Sequence, residues 1–184
     1  MTISFDDLRL LFQRQSLFFM RKFFVATVLF LTSMVAAAQA SPKPPLFTPL
    51  SAESKAELDD FRRLVTGLVR IQNPKWILSR TPKDFEILQI FAEGSSMKKA
   101  DRNTWIAVGV AFGDALIAFI PGLSWSDMQD EYGPGVVLRY KQTTMTIAAP
   151  TMLAKRVERG ESFDLRFMAI ELKKYVTENA GKVQ

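Results

Sequence analysis

Residues Trp105–Lys141 read WIAVGVAFGDALIAFIPGLSWSDMQDEYGPGVVLRYK, and the hydrophobic period changes inside them. From Trp105 to Ile120 the chain is apolar nearly all round, with Asp114 as its single charge. That pattern marks a helix buried on several sides. Pro121-Gly122 stops it. Beyond the stop, Leu123–Tyr132 and Val136–Lys141 flank Gly133-Pro134-Gly135 and read as two strands joined by a hairpin turn. A buried helix leading into a hairpin points to an α+β fold.

Downstream, Thr143–Ala149 alternates and reads as a third strand. Pro150 opens a short helix to Arg159, stopped by Gly160. Asp164 caps a last helix with Leu165, Met168, Leu172, Tyr175 and Val176 on one face, and Phe163 is placed to staple onto Met168. Upstream, Ser54 with Glu57 fits a capping box for a helix carrying Leu58, Phe61, Val65 and Leu68, with Leu64 and Ile71 beside them, up to Asn73-Pro74. Thr81-Pro82 opens a second helix with Phe85, Leu88 and Phe91 on its face and Ile87 and Ile90 beside them, ended by Gly94-Ser95-Ser96. Asp101 caps the buried one. The expected order is three helices, a three-stranded antiparallel meander and two helices, a single domain over residues 51–184.

Met20–Ala40, MRKFFVATVLFLTSMVAAAQA, reads as a signal peptide: a positive start, an uncharged run and a small-x-small site at Ala38-Gln39-Ala40. Cleavage after Ala40 makes Ser41 the first mature residue and places the protein in the periplasm or outside the cell. The leader Met1–Phe19 holds Asp6 and Asp7, unusual before a signal, so Met20 is the simpler start. The alternative is an uncleaved anchor, although the sixteen residues Phe23–Ala38 fall short of the roughly 20 that span a bilayer. Ser41–Leu50 has four prolines and reads as a tether.

The whole chain has 24 Lys/Arg against 19 Asp/Glu. Residues 1–40 hold four and two of these, so 20 and 17 remain, a balance of +3. So weak a charge gives no argument for nucleic-acid binding. The chain has neither cysteine nor histidine. That removes disulfides, lipidation, thiol nucleophiles, Ser-His-Asp catalysis and ordinary zinc sites. No cofactor or metal is expected.

The segment from Trp105 onward resembles the bacterial family catalogued as domain of unknown function 3806. The resemblance rests on Gly113-Asp114 within VGVAFGD (108–114), Trp125, Asp130-Glu131-Tyr132-Gly133, Arg139-Tyr140, and PTMLAKRVERGE (150–161). It implies the same helix-meander-helix order, and it brings no reaction and no catalytic residue.

The candidate binding residues are Asp114, Trp125, Asp130, Glu131, Tyr132 and Arg139. A lone carboxylate on a buried helix needs a partner, and Arg139 among Val137, Leu138 and Tyr140 is the expected one. Asp127, Asp130 and Glu131 cluster by the turn, where they form either a solvated strand end or a glycosidase-type pair. Their spacing lacks the ligand loop of a dedicated calcium site. Trp125, Tyr132 and Tyr140 either line a cleft or fill the core. Gly109 and Gly113, with Ala107, Ala111 and Ala115, suggest close packing of the helix on the sheet. Lys155, Arg156 and Arg159 interleave with Glu158 and Glu161 as a solvated face.

The expectation is therefore an exported, non-enzymatic domain that binds a protein partner or an envelope component, meeting the membrane only during export. The rivals are a carboxylate-based hydrolase of cell-wall sugar using Asp114, Asp130 or Glu131, and an apolar-ligand carrier between Trp105, Trp125 and the central helix.

Overall fold

The computed structural model of the protein describes residues 44–181. The leader, the signal-like segment and the start of the proline-rich stretch lie outside the described residues. Strand β1 (Leu46–Thr48) leads into α1 (Ala52–Gln72), α2 (Asp84–Glu93), a 3-10 turn (Ser95–Lys99) and α3 (Arg102–Phe119). Then come β2 (Leu123–Asp130), β3 (Gly133–Tyr140), β4 (Thr146–Ile147), α4 (Ala149–Glu158) and α5 (Leu165–Asn179). The class is α+β, as the change of period indicated. Among the described residues, no helix is long and apolar enough to cross a membrane.

The sheet has four strands rather than three, in the antiparallel order β1-β2-β3-β4. The extra strand comes from the stretch read as a tether: Leu46, Phe47 and Thr48 pair with Gln129, Met128 and Asp127. Prolines on either side are compatible with this because β1 is an edge strand, with one row of backbone donors unpaired in any case. The β2–β3 turn is also tighter than expected. Asp130 pairs with Gly133, so the loop is Glu131-Tyr132, and Gly133, Pro134 and Gly135 lie inside β3. Pro134 is tolerated there because β4 reaches only Leu138 and Arg139, leaving that part of β3 unpaired on one side.

Helix α3 is the centre of the domain. Asp101 caps it, accepting the Thr104 N–H at 2.8 Å. It packs on α1, α2, α4, α5 and β2, and Ala107, Val108, Val110, Phe112, Ala115 and Leu116 are wholly buried. Around it, Phe85 packs on Phe112 at 5.4 Å and edge-on to Phe119 at 5.7 Å. Phe163 meets Trp105 edge-on at 5.9 Å. Gly109 and Gly113 serve different neighbours. A Cβ on Gly113 would fall 2.6 Å from the Trp125 ring, which is helix-to-sheet packing. A Cβ on Gly109 would fall 2.4 Å from the Ala149 carbonyl oxygen, so that glycine seats α4 and not the sheet.

The remaining differences concern helix ends and faces. α1 is capped by Ser51, whose hydroxyl accepts the Ser54 N–H at 3.0 Å, three residues before the expected box. α2 begins at Asp84 with no side-chain cap, because Thr81 and Pro82 form a preceding turn whose carbonyls receive the Asp84 and Phe85 N–H groups. On α5 the buried residues are Leu165, Ala169 and Val176, and Tyr175 is exposed.

Gly67 lies in the middle of α1, and a Cβ there would meet nothing within 4 Å. Gly67→Ala should therefore stabilise the protein by about 0.5–1 kcal/mol through backbone entropy alone. The measurement is the urea midpoint, and an unchanged or lower midpoint would contradict the open space beside α1.

Candidate functional site: an arginine-lined groove on α1

On α1 the buried positions run Leu58, Val65 and Val69. Arg62 lies four residues after Leu58 and three before Val65, so the helix turns a guanidinium toward the core. Asp114 on α3 meets it. Arg62 Nε donates to Asp114 Oδ2 at 2.8 Å and Nη2 to Oδ1 at 2.7 Å, a bidentate fork. Trp125 Nε1 on β2 adds a third bond to Oδ1 at 2.9 Å. The carboxylate is 7 % exposed and fully engaged. Arg62 Nη1 also donates to Asp59 at 2.8 Å. The hydrogen bonds Arg62 donates to Asp114, and then the one to Asp59, hold its guanidinium still more firmly protonated than usual. In return, Arg62 holds the Asp59 carboxyl below the ordinary carboxylate range.

Asp114 therefore pairs with Arg62, not with Arg139 as the sequence suggested. Strand alternation is the reason. Leu138 pairs with Trp125 on the sheet face toward α3, so Arg139, paired with Ser124, points to the other face. There its guanidinium donates to the carbonyls of Thr143 and Gln142, both at 2.7 Å, and lies 4.2 Å above the Phe47 ring.

A second buried acid escaped the sequence reading. Asp84 is 1 % exposed and accepts the N–H and hydroxyl of Ser79 and, at 2.7 Å, the N–H of Arg80. Those bonds hold Arg80 at φ +56°, a left-handed conformation uncommon for a residue with a side chain. The Arg80 side chain is exposed, with Nε 3.6 Å from Asp114 Oδ2. Nothing in the spacing Ser79-Arg80-Thr81-Pro82 announces this turn.

Together these residues border an open groove of about 450 Å³, with Arg62, Arg63, Thr66 and Arg70 along α1 and Arg80 opposite. A pocket of about 110 Å³ beneath it reaches Asp84, Ala111 and Asp114. Of the expected site residues, only Asp114 and Trp125 come together here. Asp130, Glu131 and Tyr132 form the β2–β3 hairpin tip, where Asp130 Oδ1 accepts the Tyr132 N–H at 2.8 Å and the Tyr132 side chain is 90 % exposed. Asp127 accepts the Ser51 N–H at 2.8 Å, tying β2 to the start of α1. Among the described residues, no group of three or more carboxylates is placed to hold a metal ion. Arg159 pairs with Glu161, and Glu158 with Arg102, on the exposed surface.

Residues 84–168 match the sequence model of the family described as Domain of unknown function (DUF3806). The matched segment supplies Asp84, Asp114 and Trp125, while Arg62, Arg63, Arg70 and Arg80 precede it. A crystal structure at 1.50 Å from Bacteroides thetaiotaomicron VPI-5482 is similar in fold, with a TM-score of 0.63 and 16% identity over 73% of this chain. The likeness covers 49% of that structure, so the chain spans about half the length of the solved protein it resembles. No curated protein matches the chain significantly.

Proposed function

We propose that the protein is an exported, non-enzymatic binding domain that holds a protein partner or an envelope component in the arginine-lined groove of α1. The observation that carries the reading is that every acid at the groove is already engaged: Asp59 and Asp114 with Arg62, and Asp84 with the Ser79–Arg80 backbone. A carboxylate-based hydrolase needs one acid held protonated and another ionised over the same substrate. Fixed cations beside exposed ones suit recognition instead, because a guanidinium stays charged and presents a rigid fork of donors. Export rests on Met20–Ala40, with Ser41 as the mature N-terminus in the periplasm or the medium.

The experiment uses cells producing the full chain. Mass spectrometry of the native protein should find Ser41 first, and intact Met1 or Met20 in the cytosolic fraction would overturn export. A photoreactive residue at Thr66 should crosslink to an envelope component, whereas one at exposed Glu161 should not. Equal crosslinking from both positions would remove the groove as the contact surface. Turnover of peptidoglycan or simple glycosides that disappears in Asp130→Asn or Glu131→Gln would overturn the non-enzymatic reading.

A further inference from the structure

We infer that the groove takes a phosphate-bearing ligand, with the phosphate held by Arg63, Arg70 and Arg80. This rests on the groove being a binding site and goes further by naming the chemistry that fills it. The Asp114 cradle shows what one carboxylate needs here: a single guanidinium fork and one indole N–H. Three more guanidiniums border the same groove. Arg70 has no carboxylate partner among the described residues. Arg80 lies at the margin of Asp114, at 3.6 Å. Arg63 pairs only with Asp60, both well exposed, and such a pair holds a side chain weakly. Three cations exceed what a second carboxylate can use. They match a phosphate monoester, which carries about −1.5 to −2 charge and three strong acceptor oxygens.

Three further features fit. All the cations of the groove are arginines, the side chain whose fork matches an oxyanion with two parallel bonds. Gly67 leaves the α1 backbone uncovered between Thr66 and Arg70, so a ligand can approach closely and meet the Thr66 hydroxyl. The groove, about 450 Å³, also leaves room for the organic part that carries the phosphate. That part is either a lipid headgroup or a soluble molecule.

The test titrates the purified full chain with pyrophosphate, with citrate as a polycarboxylate, and with vesicles of phosphatidic acid or neutral phosphatidylcholine. Arg80→Gly removes one guanidinium at a φ that glycine adopts freely, so this variant keeps the fold. Arg70→Ala removes another from an exposed helix position, and Arg166→Ala on α5 is the control. Pyrophosphate should bind in preference to citrate, and Arg80→Gly and Arg70→Ala should each weaken it about tenfold or more, with Arg166→Ala unchanged. Binding of phosphatidic acid vesicles with the same arginine dependence assigns a headgroup, and pyrophosphate binding alone assigns a soluble ligand. Pyrophosphate binding that ignores both arginine variants overturns the inference. So does citrate binding in place of pyrophosphate, or no anion binding at all. In those cases continued crosslinking from Thr66 leaves the binding-domain reading standing, and its loss removes both.

Discussion

Asp114→Ala should destabilise the protein by about 3–5 kcal/mol, because it leaves the half-buried Arg62 guanidinium with only the exposed Asp59 as a counter-ion. The substitution also leaves the Trp125 indole N–H without its acceptor and releases the tie between α3, α1 and β2. Replacing both partners tests the cause. Asp114→Leu with Arg62→Met removes two charges together and should recover most of the loss, since an apolar pair of similar volume needs no counter-ion. Urea unfolding of the two single variants and the double variant gives the coupling directly. A single-variant loss below about 1 kcal/mol would mean that water solvates Arg62 in place of the carboxylate.

Gly109→Ala carries the second large effect, opposite in sign to Gly67→Ala. Both sites are inside helices, and alanine is the better helix former by about 1 kcal/mol at either. At Gly109, however, the new methyl meets the carbonyl oxygens of Ala149 at 2.4 Å and Pro150 at 2.6 Å. Those are backbone atoms at the start of α4, which cannot rotate aside as a side chain would. The helices must separate, at a typical overpacking cost of about 1–3 kcal/mol. A lower thermal midpoint for Gly109→Ala beside a higher one for Gly67→Ala is the expected pair of results. Stabilisation at Gly109 would mean that α3 and α4 are not in close contact.

How much of this was legible differs from one element to the next. α3 could be read because Asp101, the unbroken apolar run and Pro121-Gly122 all agree. β1 could not, because three residues between prolines make no pattern, and only pairing with β2 reveals them as a strand. The partner of Asp114 was misassigned for want of a comparison already present in the residues. Arg62 occupies a core position of α1 between Leu58 and Val65, as conspicuous on its helix as Asp114 is on α3. Two opposite charges, each alone on an apolar face, are candidates for each other. Arg139, by contrast, alternates with Leu138 and Tyr140, so strand period alone sends it to the face away from the central helix. The Asp84–Arg80 turn depends on backbone angles that no spacing of residue types encodes, and with it went the far wall of the groove.

The central place of α3 also bears on the order in which the chain can acquire its structure. α1 and α2 leave the ribosome before α3, but β2, α4 and α5, which close over its other sides, leave after it. Until they arrive, the sides of this eighteen-residue helix that β2, α4 and α5 cover stay open, and only α1 and α2 can shield the rest. The amino-terminal half alone therefore cannot bury every side of its own central helix. Under the export proposed above, that dependence would be useful: stable structure would wait until the last helix had been delivered.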